Sequence, residues 1–210
     1  MKKKGILISF EGGEGGGKTT QIPLIRERLE KGGYEVIQVR EPGGTKISEQ
    51  IREVVLSAKN EGMSFTAEVL LFQAARAQVY YEIVLPALKE GKVVLMDRTR
   101  DSSVVYQGAV RGFGKDLIEE LNMMSTQDTC PSLTFLLDVP TELGMKRTAA
   151  VKKLDRIEGE KADFHEQIRQ EYLALAKADK TGRWVIIDGT QPVEGVSEKI
   201  WKKIAEKLKV

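Results

Sequence analysis

The stretch FEGGEGGGKTT, residues 10–20, decides the fold. It follows an apolar run, residues 5–10, that reads as a buried strand. It precedes a run with Ile22, Ile25 and Leu29 on one side, which reads as a helix. Gly12, Gly17, Lys18 and Thr19 fit G-x-x-x-x-G-K-[ST] in the strand–loop–helix setting that this pattern requires. The glycines allow consecutive N–H groups to turn inward without interference from a Cβ. The helix N-terminus adds partial positive charge. In that frame Lys18 reaches the β- and γ-phosphates of a nucleotide, and Thr19 ligates Mg²⁺.

The chain has 210 residues, which suits one α/β domain, residues 1–210, with a sizeable core. A formal charge of +2 gives no footprint for bulk nucleic-acid binding. The basic start, residues 2–4, and the six apolar residues behind it are too short for a signal peptide, and no stretch approaches the roughly 20 apolar residues that span a bilayer. Nucleic acid and membrane are therefore not expected as partners, and a cytoplasmic location is. One cysteine, Cys130, reads as a small apolar residue, and one histidine, His165, reads as a solvated side chain in a polar helical pattern. Ser–His, Cys–His and zinc chemistries have almost no material here.

Apolar, β-branched runs recur at residues 5–10, 34–39, 93–96, 133–137 and 184–187, with helical patterns between them. That alternation predicts a parallel sheet with helices on both faces. A long helix is predicted over residues 66–89 with a stop or kink at Pro86, and Pro23 should bend the first helix. Residues 148–161 are charged and weakly periodic, and read as a mobile connection, a short lid.

In open α/β sheets, ligands gather at the carboxyl ends of strands. The first strand ends at Glu11, the second leads into REPGGT, and the third ends in Asp97-Arg98. Asp97 after VVLM has the arrangement of an acid beside Mg²⁺, with a helix cap as the alternative. Asp138, at the end of the fourth run, reads as a cap or turn. Arg98 with the helix-borne Arg52 suggests a second phosphate site. No guanine-reading N-K-x-D occurs. An acceptor that is itself a phosphate monoester, with its second pKa about 6, needs no general base. Catalysis then consists of aligning two polyanions and neutralising their charge.

With FEGGEGGGKTTQ, REPGGT, LLFQAAR, DRTRDSSVVYQG and LDRIE in order, the chain resembles bacterial thymidylate kinases along essentially its whole length. The resemblance implies a P-loop nucleoside monophosphate kinase fold: a five-stranded parallel sheet flanked by helices, with a lid at about residues 148–161. It implies a homodimer that phosphorylates dTMP to dTDP with ATP and Mg²⁺, in dTTP synthesis. The donor would rest on Gly12, Gly13, Glu14, Gly15, Gly16, Gly17, Lys18, Thr19 and Thr20, with Arg147 over the adenine and the loop at residues 188–191 beside it. Phe72 would stack on thymine and Arg76 would donate to O4. Arg52 and Arg98 would bind the acceptor phosphate. Ser103, Tyr106 and Gln107 would line the sugar and base, with Tyr106 leaving no room for a 2′-hydroxyl. Glu11 and Glu41 would lie by the sugar or the metal-bound waters.

The chain departs from the family in two places. Thr99 stands where an aromatic residue usually follows Asp-Arg, and Gly15 occupies the slot that carries an arginine in one branch. The other branch has lid arginines, where this chain has Ala149 and Val151. Lys152, Lys153 and Arg156 remain as sources of catalytic charge, with Arg156 expected to swing over the phosphates. Two other readings stay open at this point: a kinase for another small metabolite, and a nucleotide-dependent switch.

Overall fold

The five apolar runs form five strands: β1 (Ile6–Glu11), β2 (Val36–Arg40), β3 (Val93–Asp97), β4 (Leu133–Asp138) and β5 (Trp184–Asp188). All neighbours pair in parallel, in the order β2-β3-β1-β4-β5. The computed structural model describes residues 5–150 and 155–209. The helices are α1 (Lys18–Lys31), α2 (Lys46–Leu56), α3 (Phe65–Val79), α4 (Leu85–Glu90), α5 (Arg100–Ser103), α6 (Lys115–Thr126), α7 (Thr141–Ala149), α8 (Ala162–Ala178) and α9 (Val193–Leu208).

Alternation along β1 supplies both faces of the sheet. Ile8 and Phe10 pack with Ile22, Ile25 and Leu29 of α1 and Ile200 and Ile204 of α9. Leu7 points the other way, among Val79, Tyr80 and Val84. The central strand is thus covered on both sides, as a parallel sheet requires. Register brings Phe10, Arg40 and Asp97 to one level, so that the ends of β1, β2 and β3 open together onto one edge.

Four local expectations are corrected. The interruption of the long helix lies before Pro86, at a π-helical stretch, Tyr80–Val84, where Leu85 N–H reaches back to the Tyr80 carbonyl. The widened turn accommodates the N–H that Pro86 lacks. His165 is buried, with Nε2 3.3 Å from the Glu158 carbonyl, because α8 turns that face inward. Asp138 is neither cap nor turn: Arg169 donates to both its oxygens, at 2.7 and 3.0 Å. Cys130 is exposed, its sulfur against the Arg100 guanidinium. As for Pro23, α1 runs on through it to Lys31.

The lid segment is more ordered than its composition suggests. Its first residues extend α7, and Ile157 and Glu158 are buried. The Asp155 carboxylate accepts from the N–H groups of Ile157 and Glu158, both at 2.9 Å, which winds this stretch into a turn. Val151, Lys152 and Lys153 lie outside the described residues.

Candidate active site

A cavity of about 460 Å³ opens where β1, β2 and β3 end. Residues 14–17 of the glycine loop form one wall, and α3, α5 and the turn after it form the other. Gly17 caps α1 with φ 96°, a backbone that an L-residue rarely adopts. Gly15 has φ 65°, and a Cβ on it would fall 2.2 Å from the Gly144 carbonyl oxygen of α7. The arginine found at this slot in part of the family therefore has no room here.

Lys18 is buried, and its Nζ donates to the carbonyls of Gly12 and Gly13 at 3.0 and 2.9 Å. Burial and then the nearby Arg98 lower its pKa. Thr19 and Asp97 both line the cavity with hard oxygen atoms. Arg98 leaves β3 with φ 65°, held by its N–H to the Phe10 carbonyl at 3.0 Å. This turn carries its guanidinium to Glu14 Oε1 (2.5 Å), the Gly12 carbonyl (3.0 Å) and Tyr172 Oη (3.2 Å). Arg52 Nη1 donates to the Pro42 carbonyl at 2.8 Å, beyond a cis Glu41–Pro42 bond, and burial lowers its pKa.

Arg76 is 1% exposed, yet it lines the cavity. Its Nε donates to Glu41 Oε2 at 2.8 Å; Nη1 donates to Ser103 Oγ at 3.0 Å and Asn122 Oδ1 at 2.9 Å. Its Nη2 donates to the Thr99 carbonyl at 3.2 Å, the sole protein acceptor there among the described residues. Of the five N–H hydrogens of a guanidinium, one on Nη2 remains for a ligand. Burial raises the Glu41 pKa and the charge of Arg76 pulls it back. Phe72, one helical turn before Arg76, lines the same end with Ser103, Tyr106 and Gln107.

Thr99, the departure noted in the sequence, is wholly buried. Its hydroxyl is 2.9 Å from Tyr80 Oη and donates to Glu41 Oε1 at 3.3 Å. Tyr80 is also wholly buried, and it approaches from α3's side to occupy the space beside this small side chain.

Glu11 does not reach the cavity wall. It lies wholly buried beneath it, accepting from Thr99 N–H at 2.9 Å, Ser102 Oγ at 2.6 Å and Tyr172 Oη at 2.9 Å. Burial, reinforced by Asp101, pushes its carboxyl up to about 7. Nor does the structure bring Arg156 to the phosphate loop. Its side chain is 8% exposed, with Nη2 2.7 Å from Glu68 Oε2 and donating to the Val55 carbonyl at 2.9 Å.

A second cavity, about 230 Å³, adjoins the outer side of the loop. Thr19, Thr20, Gln21, Gly189, Gln191 and Arg147 line it. Arg147 Nη1 donates to the carbonyls of Gly15 and Gly189, both at 3.2 Å, and so ties α7 to the loop after β5. Gly13 of the loop instead faces a small hollow of about 20 Å³ behind it, shared with Asp138 and Arg169.

Several supporting residues were not singled out from the sequence. Tyr172 joins Arg98 to Glu11, and Gln73 and Asn122 fix Arg76. Gln73 lies three residues before Arg76 on α3, a spacing that sequence alone could have flagged. Tyr172 and Asn122 carry no such local signal.

The cavity has an end lined by the glycine loop, Lys18 and Arg98, a buried arginine with one free donor, and an aromatic wall. Known proteins of this kind match the chain throughout. A family model described as Thymidylate kinase matches residues 10–200. A thymidylate kinase of Kosmotoga olearia is 46% identical over 205 residues, covering 97% of each chain. One from Caldanaerobacter subterraneus subsp. tengcongensis is 43% identical over 206 residues, covering 98% of each. Among solved structures, a thymidylate kinase from Ehrlichia chaffeensis superposes with TM-score 0.78 at 29% identity, covering 95% of this chain and 98% of the other.

Proposed function

The chain belongs to the thymidylate kinase family, and from that premise we propose how its residues carry out the family's reaction. That reaction is transfer of the γ-phosphoryl group of ATP to dTMP, giving dTDP. The observation that carries the residue-level reading is convergence: Lys18, Arg98, Phe72 and Arg76 line one cavity although they come from two helices, α1 and α3, and the turn after β3.

The donor phosphates lie along the N–H groups of residues 12–20, with Lys18 at the β- and γ-oxygens and the adenine beside Arg147. Support for this comes from the adjoining cavity and from the tie between Gly15, Arg147 and Gly189. The acceptor phosphate lies between Arg52 and Arg98. Thymine stacks on Phe72, and the remaining Nη2 hydrogen of Arg76 donates to O4. Ser103, Tyr106, Gln107 and Glu41 complete the sugar and base contacts. Glu11 acts from beneath, holding the Thr99 N–H and so the turn that carries Arg98. The acceptor phosphate is already anionic, so no base removes a proton, and the residues work by alignment and charge.

The Thr19 hydroxyl and the Asp97 carboxylate fit Mg²⁺, which is usually held by one or two protein oxygens together with substrate phosphates and water. When bound it neutralises charge on the transferring group. Arg156 anchors the lid. To swing over the phosphates it would give up a buried ion pair with Glu68, which would keep only the more distant Arg111, 3.6 Å from its other oxygen. Lys152 and Lys153 then supply the lid's charge.

The working unit is a homodimer. Val54 of α2, Phe65 and Leu70 of α3, and Met124 of α6 are exposed apolar side chains, and α3 packs against both other helices. We place the enzyme in the cytoplasm, without nucleic-acid or membrane partners. Among the described residues no helix is long and apolar enough to cross a membrane. The residue assignments are tested with ADP release measured for dTMP, dUMP, dCMP, dGMP and dAMP. dTMP should lead, dUMP should follow, and dCMP should be far behind. Comparable rates for dTMP and dCMP, or ADP release without any acceptor, would contradict the assigned roles.

A further inference from the structure

Glu68 of α3 is 1% exposed and stands behind the cavity wall. Its Oε1 accepts from Gln107 Nε2 at 2.9 Å, and its Oε2 is 2.7 Å from Arg156 Nη2. Arg111 Nε is 3.6 Å from Oε1. A carboxylate paired in this way can only accept hydrogen bonds. An amide facing it must present its NH₂ group, because the reverse orientation would set oxygen against oxygen. The Gln107 oxygen is therefore turned away from Glu68, and it takes no hydrogen bond from the described residues. Gln107 itself lines the base end of the cavity.

We propose that Glu68 is a positioning residue for base selection: it fixes the Gln107 amide so that a carbonyl oxygen, rather than an NH₂ group, meets N3 of the acceptor base. The proposal rests on the reading of this cavity as the dTMP site. Thymine carries a hydrogen on N3 and donates to that oxygen. Cytosine has a lone pair on N3, so two acceptors would face each other. A flipped amide would reverse the preference. Glu68 never touches the nucleotide; it acts through the orientation of Gln107. Its second oxygen anchors Arg156, so the same carboxylate also holds the root of the lid.

The test measures kcat/KM for dTMP and dCMP in wild type, Glu68→Gln, Arg156→Met and the double variant Glu68→Gln/Arg156→Met. A glutamine at position 68 can accept or donate, so the Gln107 amide is released to flip. The dTMP:dCMP ratio should then fall by roughly 2- to 12-fold, the worth of about one hydrogen bond to a neutral group. Arg156→Met removes the ion pair but keeps the carboxylate, so its ratio should stay near that of wild type even if its melting temperature drops. The double variant leaves no unpaired buried charge, and it carries the test if Glu68→Gln alone does not fold; its ratio should fall likewise. A wild-type ratio in the folded Glu68 variants overturns the proposal, as does an equal fall in Arg156→Met. Wild-type turnover of dTMP in the same assay separates this outcome from failure of the site reading.

Discussion

Replacing Arg76 by methionine keeps the stem's volume and removes the guanidinium. Five protein groups lose a donor: Glu41, Gln73, Ser103, Asn122 and the Thr99 carbonyl. The pair with Glu41 is fully buried on both sides, so the loss of one partner should cost about 3–5 kcal/mol of stability. Burial already raises the Glu41 carboxyl, and Arg76, ahead of the Thr99 hydroxyl, lowers it. Without Arg76, Glu41 takes up a proton more readily, so the deficit should be largest at alkaline pH and shrink as the pH falls. Base choice should change separately. One charged hydrogen bond to thymine O4, worth about 1.5–3 kcal/mol, corresponds to roughly 10- to 150-fold in kcat/KM for dTMP. dCMP, whose amino group faces the same donor unfavourably, should lose far less, so the dTMP:dCMP ratio should narrow. Urea unfolding at pH 6 and 8 measures the first effect, and coupled ADP release measures the second. A folded Arg76→Met enzyme with an unchanged ratio would refute the placement of the base.

Lys18→Ala should lower kcat by about 10²-fold or more in a protein that still unfolds cooperatively, as seen in turnover and thermal melts. Glu11, with its carboxyl raised from 4.5 to about 7, binds more protons folded than unfolded between those values. Its contribution to stability is therefore greatest below the unfolded pKa and is lost as the pH rises through 7, a change of about 3 kcal/mol at 1.36 kcal/mol per unit. Unfolding free energies of wild type minus those of Glu11→Gln, taken from pH 5 to 8, should decline with pH; a flat difference would refute the assignment. The double change Lys152→Ala/Lys153→Ala should lower kcat more than it alters KM for dTMP, since lid charge acts on closure. An unchanged kcat in that variant would remove the two lysines from the mechanism.

The phosphate loop was legible because its requirements are local: glycines at fixed offsets, then a lysine and a hydroxyl, between a strand and a helix. Phe72 and Arg76 were singled out by the resemblance that LLFQAAR carries, and their spacing of one helical turn fits two side chains lining one cavity. Contacts between distant segments left no such trace. Glu11 and Tyr172 meet across 161 positions, and a tyrosine on a helical stripe reads as ordinary core. Arg156 shows the limit most clearly. Its charge suggested a moving arm, but only the fold reveals that Glu68, on α3, holds it. His165 was misread for a related reason: the polar residues around it conceal which face of α8 turns inward.

The central claim is that donor and acceptor nucleotides occupy one continuous site, phosphate to phosphate, between Lys18 and Arg98. Adenosine and thymidine joined through a chain of five phosphates span both halves in a single molecule. Titration calorimetry should show one such molecule per chain, bound more tightly than dTMP or ATP alone, and both nucleotides should displace it competitively. Displacement by only one of the two, or affinity no better than that of the better nucleotide, would contradict the account.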